Sequence, residues 1–197
     1  MRVHDPLDGI FRGKASLRLL RIFCRFPGTS FTGRELARLS RLSPSHVQVA
    51  LEALEWEGLA QKQRAGRSLL WSARPRNALF AAVRRLFEEE GQLPERLVRQ
   101  LRNGLAHAPI IRATLFGSVA RGEEARQSDV DLLLEVRSEP DRSRLEPRLL
   151  ALGDSVRDLF GLTLSPTILT RSQLREPSRH GFVADVRREG RIIRGSA

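Results

Sequence analysis

The sequence predicts a mixed fold of the α/β (α+β) class, built as two domains. Its 197 residues suffice for two small domains, each with its own hydrophobic core. Apolar residues recur at helical spacing in the first half, whereas the second half opens with strand-like runs joined by a turn and a helix. The charge also changes near residue 105. Residues 1–106 hold 19 Arg or Lys against 10 Asp or Glu, and residues 107–197 hold 15 against 13.

The basic excess of the first half favours nucleic acid as its partner, because a localised positive charge attracts a polyanion. One alternative stays open at this point. Only Lys14 and Lys62 are lysines, so a general overuse of arginine would produce the same excess without a selected binding surface.

The cysteine content and the short apolar runs predict a soluble cytoplasmic protein. The single cysteine, Cys24, cannot form an internal disulfide, and it lies on the apolar face of a predicted helix, so we expect a buried thiol. The N-terminal stretch MRVHDPLDGIF has no apolar core of signal-peptide length. No later run approaches the roughly 18 apolar residues of a membrane span, so we expect no membrane partner.

The first half predicts three helices. Apolar spacing in KASLRLLRIFCRF predicts the first helix, and the Pro-Gly pair that follows ends it. Thr32 and Glu35 have the spacing of a capping box at the start of the second helix. Ser43 begins the third helix with Pro44 at the first helical position, and Gly58 ends it. The second and third helices together indicate a helix-turn-helix.

Two strand-like runs follow in LAQKQRAGRSLLWSA, and the glycine between them predicts a β-hairpin. Three helices followed by a basic hairpin resemble the winged helix-turn-helix family of DNA-binding domains, over about residues 14–74. The resemblance implies that the third helix enters the major groove and that the hairpin, the wing, touches the DNA backbone or the minor groove.

Carried over by position, the resemblance implies a set of DNA-contacting residues at the start of the third helix and on the wing: Ser43, Ser45, His46, Gln48, Lys62, Arg64 and Arg67. Hydroxyl, amide and cationic groups can bond phosphates and base edges. Two alternatives stay open: winged helices also serve as dimerisation or protein-docking modules, and His46 by itself can be an ordinary exposed cap residue.

Residues 75–106 predict a helical connector of two helices, broken at residues 91–94. The connector either bridges the domains or pairs with a second copy, and a homodimer is an open expectation because one recognition helix reads little sequence. The hexamer RNGLAH resembles a short signature of helical ribonucleases. That family's helical bundle does not fit in front of it, so we interpret Arg102 and His107 as helix-end residues. The predicted domains are therefore 1–74 and 107–197, with the helical connector 75–106 between them.

The second half carries a candidate metal and phosphate site. PIIRATLFGS predicts a strand that runs into a Gly-Ser turn, and SDVDLLLEV predicts a second strand whose alternation puts Asp129 and Asp131 on one face. Two crowded carboxylates are costly unless a cation neutralises them, and Mg²⁺ takes carboxylate and nucleotide phosphate oxygens. Gly117 permits close backbone approach. Ser118 is expected to cap a helix that begins near Val119, whose free amides would face a phosphate.

This stretch resembles the nucleotidyltransferase superfamily that includes polymerase beta, and within it the minimal nucleotidyltransferases of prokaryotes. The family pattern is Gly-Ser, a spacer of about ten residues, and Asp-hydrophobic-Asp, which Gly117, Ser118, Asp129 and Asp131 match, with an Ala-Arg-Gly run around Arg121. The resemblance implies a mixed sheet with flanking helices. It also implies Mg²⁺ on the two aspartates and a nucleoside triphosphate at Gly117, Ser118 and Arg121.

One family feature is not found: a third carboxylate from a later strand, which helps hold the catalytic metal or takes the proton of the attacking hydroxyl. The strand expected to supply it, LTLSPTILT, contains no acid, and Thr163 or Ser165 stands in its place. A hydroxyl neither neutralises a divalent cation nor acts as a base near pH 7. We interpret Asp154 and Asp158 as surface residues of the preceding helix, and nothing in the sequence aims Asp185 at the site.

Three functions stay open. In the first, Asp129 and Asp131 act as catalytic metal ligands while an acceptor hydroxyl on a protein, an RNA end or a small molecule takes a nucleotidyl group. In the second, the chain is a transcriptional regulator without catalysis, whose winged helix binds DNA and whose second domain senses a nucleotide or docks a partner protein. In the third, it is one component of a toxin and antitoxin pair, since minimal nucleotidyltransferases occur in such systems.

Overall fold

The computed structural model describes residues 7, 10, 11, 13–123, 125 and 128–195, without the side chain of Ser178. Most of the N-terminal stretch, for which no signal peptide is expected, lies outside the described residues. So does part of the spacer between Gly117 and Asp129. The chain forms two compact units, Met1–Gln92 and Leu93–Ala197. Within the described residues, no helix combines the length and the apolar content that a membrane span needs.

From residue 13 onward, the N-terminal unit consists of three helices, a β-hairpin and the start of a long fourth helix. The elements are α1 (Lys14–Arg25), β1 (Phe31–Thr32), α2 (Gly33–Ser40), α3 (Pro44–Trp56), β2 (Ala60–Ala65), β3 (Ser68–Ala73) and α4 (Phe80–Gly104). Strand β3 pairs antiparallel with both β1 and β2, which gives a sheet in the order β1-β3-β2. The predicted order of helices and hairpin is therefore confirmed.

Side-chain caps fix where α2 and α3 begin. The Thr32 amide donates to the Glu35 carboxylate at 2.7 Å, and Thr32 Oγ1 accepts from the Glu35 amide at 3.3 Å. This pair is the predicted capping box. Ser43 caps α3 by accepting from the His46 amide at 3.4 Å, and Pro44 occupies the first helical position. Both helix starts are confirmed.

One hydrophobic core holds the three helices and the hairpin together. It includes Leu20 and Phe23 of α1, Leu51 of α3 and Trp71 of β3, all of them almost fully buried. Cys24 is 8% exposed, as expected for the apolar face of α1. The core therefore joins the three helices to the hairpin.

The predicted break at residues 91–94 is wrong, because α4 runs without interruption from Phe80 to Gly104 with Pro94 inside it. A proline inside a helix removes one backbone hydrogen bond and costs about 3 kcal/mol. Packing outweighs this cost: Phe80 and Val83 are buried in the core of the N-terminal unit, and Leu97 and Leu101 are buried in a core of the C-terminal unit. The burial of both ends stabilises a helix that local signals would end.

The C-terminal unit begins within α4 and contains a four-stranded sheet. The further elements are β4 (Arg112–Phe116), α5 (Gly117–Arg121), β5 (Val130–Val136), α6 (Glu139–Phe160), β6 (Leu164–Thr170), two short 3₁₀ turns (Gln173–Arg175 and Pro177–Arg179), α7 (His180–Glu189) and β7 (Arg191–Arg194). The strand order is β6-β5-β4-β7. Strands β5 and β6 are parallel, whereas β4 is antiparallel to β5 and β7, so the sheet is mixed.

Helices cover both faces of this sheet. Val130, Leu132 and Leu134 of β5 point to the face that packs against α6 and the end of α4. Leu133 points to the opposite face and packs with Val183 of α7. Strand β5 is therefore buried on both sides over most of its length. Exposure is left at its N-terminal end, where Asp129 precedes the strand and Asp131 is half-buried.

The end of α4 confirms the interpretation of two polar residues. Arg102 lies in the last turn and donates from Nε to the carbonyl of Ile193 at 2.9 Å. His107 follows the helix with a left-handed backbone, at φ 58°. Both are helix-end residues, and Arg102 ties the helix to β7.

Candidate functional site

The backbone at Gly117 lies directly against the Asp131 carboxyl group. A Cβ placed on Gly117 would collide with Asp131 Oδ2 and would lie 3.0 Å from its Cγ. Gly117 also has a left-handed backbone, with φ 77°, which glycine adopts without strain. The sequence needs glycine here for two separate reasons: the turn after β4 and the room for the carboxylate.

Strand register brings these two residues together. Phe116, the last residue of β4, pairs with Asp131 of β5, so the turn that begins at Gly117 starts beside the carboxylate. Val130 and Leu132 are fully buried in the core on the other face, which leaves Asp131 on the face opposite to them. The expected placement of Asp131 at the Gly-Ser turn follows from this register.

The two aspartates of the Asp-x-Asp pair interact through their charges. Burial raises the pKa of the Asp131 carboxyl, and the charge of Asp129 raises that pKa further. Asp129 is exposed and precedes β5, whereas Asp131 is half-buried within it. The start of β5 thus brings two like charges close together, one of them half-buried, an arrangement that a bound cation would stabilise.

The position of Ser118 corrects one expectation. Helix α5 begins at Gly117, not near Val119, and its N-cap is Phe116 without a side-chain cap bond. Ser118 therefore lies inside the first turn and does not cap the helix. The left-handed Gly117 places the helix directly after β4 with no intervening loop, which moves the start of the helix two residues forward.

Arg121 lies at the end of α5 and is held by carboxylates. Its Nε donates to Glu123 at 2.8 Å, and its Nη1 lies 3.8 Å from Glu189 of α7. The hydrogen bond that Arg121 donates to Glu123 raises the pKa of the guanidinium, against a smaller effect of desolvation. A phosphate would have to displace these exposed partners, which are weak competitors in water.

The strand next to Asp131 supplies hydroxyl groups in place of a third carboxylate. Ser165 of β6 is the register partner of Asp131 in the parallel pair, so both side chains leave the same face of the sheet. Thr163 just precedes the strand, and its carbonyl accepts from the Val130 amide at 2.8 Å. Among the described residues, no group of three or more His, Cys, Asp or Glu side chains could hold a metal ion.

The other acidic residues considered from the sequence are exposed on helices, and two of them pair with an arginine of the same helix. Asp154 is 75% exposed and pairs with Arg157 on α6, and Asp158 is exposed on the same helix. Asp185 pairs with Arg188 at 2.8 Å on α7. The interpretation of Asp154 and Asp158 as surface residues is confirmed.

Helix α7 covers the face of the sheet that carries Asp131, and sequence reasoning missed this. Arg187 donates to both oxygens of the buried Glu135 carboxylate, at 3.3 and 3.2 Å, which fastens the helix to β5. At the other end of α7, Phe182 meets Phe116 edge to face, with ring centroids 5.6 Å apart and planes at 80°. An apolar residue in an amphipathic helix is typical of a core position, so the sequence carried no signal for Phe182.

In the N-terminal unit, the polar residues at the start of α3 are exposed and bonded to one another. Ser43 Oγ lies 2.7 Å from His46 Nδ1 and 3.1 Å from Ser45 Oγ. Gln48 donates its amide to Glu52 at 2.6 Å. A helix that contacts DNA needs its polar side chains exposed in this way. Each of these hydrogen bonds could be exchanged for one to a phosphate or a base edge.

The three cations expected on the hairpin differ in their surroundings. Lys62 donates to Glu55 at 2.7 Å and lies 5.7 Å from the centre of the Trp71 ring. Its ammonium group therefore already has an ion pair and a cation–π contact within the unit. Arg64 and Arg67 are exposed at the tip, and no hydrogen bond or ion pair joins either to another described residue. The tip is therefore the free cationic part of the hairpin.

Comparison with known families adds one finding for the C-terminal unit. The family model described as "Nucleotidyltransferase domain" matches residues 98–191, a stretch that contains Gly117, Ser118, Asp129 and Asp131. The match supports assigning this stretch to the nucleotidyltransferase superfamily, whose domains in general use divalent metal ions. The mixed sheet with helices on both faces is consistent with that fold.

No curated protein matches the chain. Among solved structures, one match is a chain described as "Possible transcriptional regulator from Methanosarcina mazei Go1", at 17% identity and a TM-score of 0.34, covering 52% of this chain and 88% of that one. A likeness of this degree shows neither a shared fold nor a shared function.

Proposed function

Since residues 98–191 match the nucleotidyltransferase domain, we propose that the C-terminal unit binds a nucleoside triphosphate with Mg²⁺ and transfers a nucleotidyl group to an acceptor hydroxyl. The observation that carries the proposal is the contact between Gly117 and the Asp131 carboxylate. It joins the small-residue turn and the Asp-x-Asp pair, which the sequence separates by a spacer, into one site.

The acidic pair suits a magnesium ion. Burial and the charge of Asp129 both raise the pKa of the Asp131 carboxyl, so the ionised pair gains from a hard divalent cation. Such a cation prefers oxygen ligands and accepts phosphate oxygens at its remaining positions. Asp129 and Asp131 would hold the ion. When bound, it would neutralise phosphate charge and polarise the α-phosphate towards attack.

The residues around the pair have their own roles. The missing Cβ of Gly117 lets the Asp131 carboxylate lie against the turn. The hydroxyl of Ser118, the next residue of that turn, can donate a hydrogen bond to a phosphate oxygen. Arg121 can exchange Glu123 for a phosphate, with which guanidinium forms charge-assisted bonds.

In the reaction, the acceptor oxygen forms a bond to the α-phosphorus, and the bond from that phosphorus to the bridging oxygen breaks. Pyrophosphate leaves with the bonding electrons, and the hydroxyl proton passes to solvent water.

A second candidate is a nucleotide-binding regulator without transfer. The observation that favours it is Ser165, which stands beside Asp131 at the position where a third carboxylate would take the proton. Two acids can hold one ion on the leaving phosphates, whereas activation of the acceptor usually needs more. In this candidate, nucleotide binding changes the behaviour of the N-terminal unit and no product forms.

For the N-terminal unit we propose DNA binding in the manner of a winged helix, with α3 as the reading helix and the hairpin as the wing. Support comes from the exposed polar side chains of Ser43, Ser45, His46 and Gln48 and from the free cations Arg64 and Arg67 at the hairpin tip. The basic excess of residues 1–106 also favours DNA binding, because each phosphate neutralised by Arg or Lys releases counterions.

The transfer reaction is tested by incubating the full chain with α-labelled ATP, GTP, CTP or UTP and Mg²⁺, together with its co-purified components. If a nucleotidyl group is transferred, label should appear on the protein, an RNA or a small molecule. The Asp131→Asn variant should give no labelled product. Magnesium-dependent nucleotide binding without label on any acceptor would favour the regulator.

A further inference from the structure

We propose that Phe182 forms the stacking surface for the nucleobase at this site. The inference rests on the proposed nucleotide-binding function and adds to it the residue that recognises the base. Nothing in the Gly-Ser and Asp-x-Asp motifs involves this residue, because it lies far away in the sequence, on α7.

The ring of Phe182 lies at the edge of the site. Phe116 pairs with Asp131 across β4 and β5, and its ring meets the ring of Phe182 at 5.6 Å. Phe116 also packs against the small core formed by Leu133 and Val183, so it faces the same side of the sheet as Asp131. Phe182 is thus separated from Asp131 by one side chain on the same face.

The exposure of Phe182 sets it apart from the other aromatic residues of the unit. Residues 93–197 contain three aromatic side chains, Phe116, Phe160 and Phe182, and no Trp or Tyr. Phe116 is partly buried beside Asp131, and Phe160 packs against the core on the opposite face. Phe182 is 40% exposed, so part of its ring is open to a ligand although its edge-to-face contact with Phe116 holds it in place.

Charge around the ring is compatible with a nucleotide. The nearest acid one helical turn along α7 is Asp185, and Arg188 neutralises it at 2.8 Å. The edge-to-face contact with Phe116 fixes the ring without covering it completely. Every base has a π-face, so such a platform accepts all four bases. It favours purines modestly, because they offer the larger surface.

The experiment is calorimetric titration of the full chain, with Mg²⁺ present, with ATP, CTP and inorganic tripolyphosphate. The variants are Phe182→Leu, Phe182→Trp and, as a matched loss of an exposed apolar side chain, Leu150→Ala, which removes a residue that is 74% exposed. Far-UV circular dichroism checks that each variant is folded.

The proposal predicts that Phe182→Leu weakens ATP binding by about 5- to 150-fold, the range that loss of one base-stacking contact gives, and leaves tripolyphosphate binding as in the wild type. Phe182→Trp keeps ATP affinity because indole also stacks, and Leu150→Ala changes neither ligand. Wild-type affinity for CTP falls between those for tripolyphosphate and ATP.

Two results would overturn it. If Phe182→Leu bound ATP as tightly as the wild type, Phe182 would not stack on the base. If the variant lost the same affinity for ATP and for tripolyphosphate, Phe182 would only support the fold. If the wild-type chain binds neither ligand, the proposed nucleotide site itself fails, and this inference fails with it.

Discussion

The α-carbon of Gly117 and the carboxylate of Asp131 approach each other so closely that no side chain can stand between them. The two residues are fourteen positions apart in the sequence and meet because β4 and β5 pair with Phe116 opposite Asp131. This contact turns two short motifs into one site, and the predictions for the C-terminal unit depend on it.

Gly117→Ala should destabilise the protein more than Gly122→Ala. Both glycines have left-handed backbones, at φ 77° and 67°, and a Cβ there costs about 1–2 kcal/mol. Only Gly117 adds a collision with Asp131, since nothing lies within 4 Å of a Cβ at Gly122. We expect a further loss of about 1–3 kcal/mol, the usual cost of overpacking.

Urea unfolding followed by far-UV circular dichroism measures the difference. Tryptophan fluorescence would not, because both tryptophans, Trp56 and Trp71, belong to the N-terminal unit. Equal losses in the two variants would show that the Asp131 side chain moves aside at little cost.

Ser165→Asp should tighten Mg²⁺ binding by on the order of tenfold. The new carboxylate would leave the sheet beside Asp131, on the same face. Without the ion, the variant should be less stable than the wild type, because three like charges would then share the site.

The comparison variant is Thr163→Asp, which adds the same charge just before β6 at an exposed position. Titration with Mg²⁺ should rank Ser165→Asp above Thr163→Asp and the wild type. If Ser165→Asp bound Mg²⁺ with the same affinity as the wild type, the side chain at position 165, which pairs with Asp131, would not face the ion.

Arg64→Ala and Arg67→Ala should weaken binding to a mixed-sequence DNA duplex and make it less sensitive to salt. Each phosphate contact contributes about 0.9 to the slope of log affinity against log salt concentration, so we expect the slope to fall by about 1 per arginine. Lys62→Ala should change the slope less, because Glu55 already pairs with that ammonium group. Gel shifts at several salt concentrations measure it, and a binding affinity indifferent to salt would indicate a protein-docking module.

Cys24 should react slowly in the folded chain. Burial raises the pKa of its thiol from 9.0 to about 11, Arg84 opposes this effect and Glu88 adds to it. The folded state therefore holds the proton more tightly, a contribution to stability that is complete below pH 9 and is lost as the pH rises towards 11.

At pH 8 the thiolate fraction is about 100-fold lower than in the unfolded chain, and burial adds steric protection. Iodoacetamide labelling followed by mass spectrometry, with and without denaturant, reports on this single cysteine directly. Equal rates in the two conditions would contradict the buried position.

The sequence was sufficient for the starts of α2 and α3, which depend on neighbouring residues, but not for the start of α5. The capping box of Thr32 and Glu35 and the start of α3 at Ser43 and Pro44 involve side chains within three positions of each other. Such contacts form with the helix itself and do not depend on the rest of the fold. Strand alternation is local as well, and it placed Asp131 on the face opposite Val130 and Leu132, whereas Asp129, expected on the same strand, lies just before it.

Apart from the start of α5, the errors and omissions arise from contacts between distant residues. The break expected near Pro94 fails because burial at both ends of α4 outweighs local propensity. The pairing of Ser165 with Asp131 depends on strand register, and the contact of Phe182 with Phe116 depends on how α7 covers the sheet. No local pattern encodes either relationship.

The most direct test of the nucleotide site is titration of the full chain and of Asp131→Asn with ATP, with and without Mg²⁺. Because burial and the charge of Asp129 raise the pKa of Asp131, its ionised form disfavours the folded state, and the neutral amide should leave the ion-free protein at least as stable. We predict Mg²⁺-dependent ATP binding by the wild type and its loss in a folded Asp131→Asn variant. Equal ATP affinity in the two proteins, or binding by the wild type that does not need Mg²⁺, would contradict the site.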